Sequence, residues 1–135
     1  MQADIFVFSM NIVLEDSMNL PAVYEAFNKL FPFLKIEFFE KRNTGAILRR
    51  FSNEAKRTLK EFKYAHANGR KLVISPDTTV QELDKMFTET YALQLQVFRK
   101  SGNIWLETTV TDNWTLEEQN EQGEVITAQM NRNKS

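Results

Sequence analysis

The chain has 135 residues, 42% of them hydrophobic and 26% charged, with a formal net charge of −1, which is the size of one domain with a core of its own. It has no cysteine, which excludes disulfides, thiolate metal sites and a cysteine nucleophile. No apolar stretch approaches the roughly 20 residues of a membrane helix, and no basic segment precedes Asp4 at the start of the chain, so a soluble, cytoplasmic protein without a secretion signal is expected.

Ile5–Leu14 reads as a strand, because Phe6, Phe8, Met10, Ile12 and Leu14 are apolar at period two. Asn19 is placed to cap a helix, and Pro21 is tolerated in its first turn. Leu20, Val23, Tyr24, Phe27, Leu30 and Phe31 then share one helical face until Pro32 stops it. Leu34, Ile36 and Phe38 alternate with Lys35, Glu37 and Phe39, the pattern of a half-buried strand. In Lys41–Gly69, Ser52 or Asn53 is a candidate start for a basic helix carrying Leu59, Phe62 and Tyr64, with Asn68-Gly69 as its end.

Leu72–Ile74 is a short strand. Thr79-Val80-Gln81-Glu82 is a capping box, in which threonine and glutamate satisfy each other's free backbone donors. Val80, Leu83, Met86 and Phe87 form the buried stripe of the helix that follows. Leu93, Leu95 and Val97 alternate with Gln94, Gln96 and Phe98. Ser101-Gly102 predicts a tight turn, with Ile104, Leu106, Thr108 and Val110 continuing the inner face. Thr115-Leu116-Glu117-Glu118 is a second capping box, opening a short helix that Gly123 is expected to end. Residues 124–135 read as a flexible polar tail behind a single domain of residues 1–123.

The chain repeats itself. Leu14, Asn19, Leu20, Val23 and Phe27 match Ile74, Thr79, Val80, Leu83 and Phe87 at an offset of sixty positions, and Ile36 and Phe38 match Leu95 and Val97 one residue shorter. Units of about residues 5–40 and 71–110 therefore each read strand, helix, strand. The expected fold is α+β: a duplicated unit in the ferredoxin-like βαββαβ order, with an added C-terminal hairpin strand and the helices on one face.

Nothing in the pattern carries catalysis. The single histidine, His66, has no neighbouring acid or nucleophile and reads as an ordinary surface or helix-end residue. Glu15-Asp16 and Glu117-Glu118 lie at helix starts and suit the helix dipole rather than a metal. The glycines are isolated, so there is no phosphate loop. No catalytic, metal-binding or cofactor-binding residue is assigned, and no cofactor is implied.

Two surfaces are candidates for binding. The outer face of the expected sheet carries Phe39, Phe98 and Trp105 among polar neighbours. With a turn at Ser101-Gly102, Phe98 faces Trp105, Gln96 faces Glu107 and Gln94 faces Thr109. The pair either stabilises the hairpin or anchors a protein partner or a second copy of the chain. The other surface is basic. Lys41–Lys71 holds ten Lys/Arg against Glu54 and Glu61, while Asn103–Glu124 holds six acids and no Lys/Arg. Arg49, Arg50, Lys56 and Arg57 would contact phosphates in a weak nucleic-acid binder. Against that stand a pI of about 5.9 and the absence of an RNP1-type Gly-aromatic spacing in Leu93–Lys100. The leading expectation is a non-enzymatic interaction or assembly module, with nucleic-acid binding as the alternative.

Thr79-Val80-Gln81-Glu82-Leu83, Val97-Phe98-Arg99-Lys100-Ser101-Gly102-Asn103-Ile104-Trp105-Leu106-Glu107-Thr108-Thr109 and Trp114-Thr115-Leu116-Glu117-Glu118-Gln119-Asn120 together resemble a group of small proteins of unknown function from Bacteroidetes genomes. In the first half, Leu34-Lys35-Ile36-Glu37-Phe38-Phe39 carries the likeness. The resemblance implies a bacterial, cytoplasmic setting and brings no activity, ligand or site residue with it.

Overall fold

The computed structural model describes residues 11–40, 49–50, 57–62 and 71–133. The expected strand residues before Asn11, Lys56 and His66 lie outside them. Strand β1 (Ile12–Leu14) buries Ile12 and Leu14 and turns Val13 outward. Helix α1 (Leu20–Leu30) starts where Asn19 accepts a hydrogen bond from the Ala22 N–H at 2.9 Å, satisfying one of the free donors of its first turn. It buries Leu20, Val23 and Phe27 and ends before Pro32. Strand β2 (Leu34–Glu40) and the short β3 (Arg49–Arg50) follow.

Helix α2 (Leu59–Phe62) is one turn, opened by the Thr58 N–H donating to Glu61 Oε2 at 2.7 Å. Ser52 and Asn53, the expected helix starts, lie outside the described residues. Strand β4 (Leu72–Ile74) leads to α3 (Val80–Tyr91), whose capping box forms as expected. The Glu82 N–H donates to Thr79 Oγ1 at 3.1 Å, and the Thr79 N–H to Glu82 Oε1 at 3.4 Å. Strand β5 (Leu93–Ser101), β6 (Ile104–Glu107), a 3-10 turn (Thr109–Thr111) and α4 (Leu116–Asn133) complete the chain.

The architecture is α+β, and among the described residues the strands are not grouped into the single sheet of the ferredoxin-like order. They fall into a two-stranded ribbon, β1–β4, and a four-stranded sheet in the order β3-β2-β5-β6, all antiparallel. Positions sixty apart meet in the ribbon, where Val13 faces Val73. In the sheet Glu37 faces Gln96. Asn28 Nδ2 donates to the Leu34 carbonyl and Thr88 Oγ1 to the Leu93 carbonyl, the first residue of each following strand. The Leu59 N–H donates to the Met18 carbonyl, as the Leu116 N–H does to that of Thr78.

The core lies between the sheet's inner face and the helices. Leu34, Ile36 and Phe38 of β2 and Leu93, Leu95 and Val97 of β5 are buried, as period two requires. Tyr24, Phe38, Phe87 and Tyr91 form a run of ring contacts with centroids 5.5, 4.8 and 5.8 Å apart. This spacing suits offset and tilted aromatic pairs. Tyr91 also donates to Asp16 Oδ1 at 3.4 Å.

The last helix overturns two expectations. It does not end at Gly123, and residues 124–133 are not a tail. The helix runs 18 residues to Asn133 and buries Leu116, Gln119, Gly123 and Thr127. Gly123 is there for close approach, not for termination. A Cβ on it would sit 3.0 Å from Phe33 Cβ and 3.1 Å from Arg99 Cγ. Composition hides this contact, because beyond Leu116 the buried stripe holds the small and polar Gln119, Gly123 and Thr127.

Gly123→Val is expected to overpack this contact, costing about 1–3 kcal/mol and lowering Tm by several degrees. A thermal melt at or above the wild-type Tm would contradict the seating of α4. Burial and the neighbouring Asp16 carboxylate push the Tyr91 phenol up to about 12. Its folded-state pKa therefore lies above the unfolded value, so the stability it contributes is present below pH ~10 and is lost as pH rises towards ~12. Urea unfolding at pH 8 and pH 11 should show a smaller loss for Tyr91→Phe than for wild type.

Candidate functional site: the outer face of the sheet

Because β2 and β5 bury their odd or even set against the helices, the alternate set faces away from them. Across that outer face Lys35 stands opposite Phe98, Glu37 opposite Gln96 and Phe39 opposite Gln94. The third strand enters in a different register from the one expected. The two-residue turn is Gly102-Asn103, not Ser101-Gly102, so Lys100 faces Trp105 and Phe98 faces Glu107. Gly102 has φ +67° while Asn103 keeps a negative φ, the sign pattern of a type II′ turn, whose first central position favours glycine. The Gly102 N–H is held by Thr127 Oγ1 of α4 at 3.1 Å. A slip of two residues leaves every side chain on its expected face. Phe98 and Trp105 therefore share the outer face as diagonal neighbours, not as a facing pair.

What joins the two rings is Lys35. Its ammonium lies 5.4 Å from the Phe98 ring centroid and 5.1 Å from that of Trp105, within reach of the ring quadrupoles of both. It also stands 3.9 Å from Glu37 Oε1, with both side chains partly exposed. The sequence marked the aromatics and missed the cation. The period-two alternation places Lys35 on their face, but the cross-strand register that brings it over the rings is not legible in the spacing.

Beside this cluster the face dips into a hollow of about 380 Å³ lined by Phe39, Asp84, Gln94, Leu95, Gln96 and Glu107. Asp84 Oδ1 accepts from the Leu95 N–H at 2.9 Å. Gln94 Oε1 is buried without a hydrogen-bond partner. Phe39 is half-buried at this rim, away from the Lys35 cluster, so the three expected aromatics are split between two places.

The basic residues are also separated. Arg49 and Arg50 pair through their backbone with Glu40 and Phe39 at the far edge of the sheet. The Arg57 guanidinium lies 4.0 Å from the Phe62 ring centroid, and Lys56 lies outside the described residues. The acidic stretch gathers elsewhere. Glu117, Glu121 and Glu124 of α4 meet Asp77 around a cleft of about 560 Å³ floored by Leu30, Phe31 and Pro76. Asp77 enters from the β4–α3 turn, which sequence spacing does not bring near α4.

Arg99 anchors α4 instead of contributing to a site. Its Nη1 donates to Gln119 Oε1 at 2.9 Å, and Gln119 Nε2 donates to the Thr111 carbonyl and Oγ1, each at 2.8 Å. The guanidinium lies 5.6 Å from the Trp114 ring centroid. Glu118 is held below the usual carboxylate range by hydrogen bonds from the Thr115 backbone and hydroxyl, which is helix capping.

Among the described residues no group of three or more His, Cys, Asp or Glu is placed to hold a metal ion, and no helix is long and apolar enough to cross a membrane. Compared with protein-family models, curated proteins and solved structures, the chain matches none.

Lys35→Gln removes the cation but keeps a polar side chain of similar reach. It is expected to cost about 0.5–1 kcal/mol and to shift the Trp105 emission, read in a Trp114→Phe background so that one indole reports. An unchanged spectrum would mean the ammonium does not rest on the Trp105 ring in solution.

Proposed function

We propose that this chain is a non-enzymatic recognition module, built from a duplicated βαββα unit, whose outer sheet face docks a protein partner. The observation that carries the reading is the Lys35–Phe98–Trp105 cluster, an ammonium seated on two rings on a face turned away from the described helices. Aromatics held rigidly in this way bind with little loss of side-chain entropy, which is why they anchor interfaces. Glu37, Gln96, Lys100 and Glu107 around them supply the mixed polar rim such a patch uses.

A duplicated unit is supported by the recurring strand pairs and carbonyl hydrogen bonds sixty positions apart. The two described groups with displaced titration, Tyr91 and Glu118, are each explained by packing or capping, so neither marks a reacting centre. The nucleic-acid alternative has less behind it. Lys35 and Lys100 are balanced on the outer face by Glu37 and Glu107, and Arg57 is engaged with Phe62, so among the described residues no basic stripe accompanies the aromatics.

The partner is expected to present an apolar anchor for the rings and a carboxylate for Lys35. The test is capture from a bacterial lysate by the tagged chain, with Phe98→Ala/Trp105→Ala alongside and both samples treated with nuclease. Proteins retained by wild type and lost by the folded double variant support the reading. Equal capture by both, or capture abolished by nuclease, removes it.

A further inference from the structure

We propose that the free edge of β6 is a homodimer interface, at which β6 pairs antiparallel with β6 of a second copy about a two-fold axis at Leu106 and joins two four-stranded sheets into one. This surface is the sheet's edge, distinct from the aromatic face above.

The backbone comes first. In a two-residue hairpin the pair flanking the turn exchanges both hydrogen bonds, and the ladder then alternates. Ser101 and Ile104 are that pair. The Thr108 N–H donating to the Val97 carbonyl at 3.3 Å continues the same parity. Ile104, Leu106 and Thr108 therefore spend their backbone groups on β5, and Trp105 and Glu107 turn theirs to the opposite edge. Among the described residues no strand pairs with that edge. Another strand can pair with such a row of donors and acceptors along its whole length.

The side chains point the same way. Ile104 is 58% exposed and Leu106 40%, both apolar and both on the side opposite Trp105. They were expected to continue the buried inner face. They do not, because α4 packs over β5 and β6 stops at Glu107. Edge strands are commonly protected by shortness, charge, proline or a bulge. Ile104-Trp105-Leu106-Glu107 is short and carries one charge, but has no lysine, proline or bulge.

The occupant follows from the self-complementarity of the strand. An axis at Leu106 sets Leu106 against its own copy and Trp105 against the second copy's Glu107. Both of those residues turn their backbone outward, so each pair exchanges two hydrogen bonds. On the outer face the resulting row reads Lys35, Phe98, Glu107, then Trp105 and Lys100 of the second copy. The Glu107 carboxylate, which makes no ion pair among the described residues, thus has Phe98 and the second copy's Trp105 as its row neighbours, with Lys35 and the second copy's Lys100 one strand further out on either side. On the inner face β5 and its copy stand three strand spacings apart, about 14 Å. That is wider than the roughly 8–10 Å of packed helices, so Ile104 and Leu106 of both copies line the floor between the two α4 helices. Four residues per strand make a small interface, which places the dimer at the weak end of specific association.

The test is sedimentation of the full chain from about 1 μM to about 1 mM, a range that spans weak dissociation constants. Leu106→Lys puts two ammonium groups together on the axis. Glu107→Pro removes an outward N–H that the β5–β6 ladder does not use. Both leave the Phe98 and Trp105 side chains in place. The expected result is a concentration-dependent wild-type dimer that Leu106→Lys weakens by about tenfold or more, with Glu107→Pro acting in the same direction and the Leu106→Lys melt unchanged. A wild-type chain that stays monomeric throughout, or a dimer as tight in Leu106→Lys as in wild type, overturns the proposal.

Discussion

The antiparallel ladder between β2 and β5 is the constraint on which the rest of the structure depends. It pairs Leu34–Glu40 with Leu93–Arg99 residue by residue, and among the described residues it is the longest strand pairing between the two halves of the chain. Its inner side sets Leu34, Ile36 and Phe38 against the helices along with Leu93, Leu95 and Val97. Its outer side sets Lys35 beside Phe98 and Glu37 beside Gln96. One register thus decides both the packing of the core and the composition of the candidate site. A slip by one residue would exchange the two faces, and the aromatic run from Tyr24 through the buried Phe38, Phe87 and Tyr91 makes such a slip costly.

Around that ladder the helices are held by local devices that recur. Asn19 and Thr79 cap the two long early helices. Thr58 and Thr115 each stand three residues before a glutamate that accepts from their backbone N–H. Thr58-Leu59-Lys60-Glu61 is a third such Thr-x-x-Glu box and opens the one-turn helix at Leu59, because a cap satisfies backbone donors that a charge run leaves open.

The candidate site and the β6 edge belong to one hairpin. Gly102 turns the chain tightly enough for β6 to lie flat against β5, and Thr127 of α4 locks the turn from behind. The outer side chains then belong to a rigid face, while the outward backbone of Trp105 and Glu107 belongs to an edge. A binding surface made of packed strands holds its geometry without a partner, and this preorganisation separates a recognition face from an exposed apolar residue on a loop.

Much of this was legible before any coordinates. Period two in Leu34–Phe39 and Leu93–Phe98, the helical stripes of Leu20–Phe31 and Val80–Phe87, and the capping boxes are local signals, set by backbone geometry over a few residues. They determined the α+β class, the inner and outer faces, and the aromatics of the candidate site. What only the tertiary structure decided is non-local. The division of the strands into a ribbon and a separate sheet depends on which halves meet. The seating of Lys35 over two rings depends on cross-strand register. The continuation of α4 through Gly123 depends on how closely Phe33 and Arg99 approach it. Sequence spacing carries the period of an element but not the distance between elements, and packing alone sets that distance.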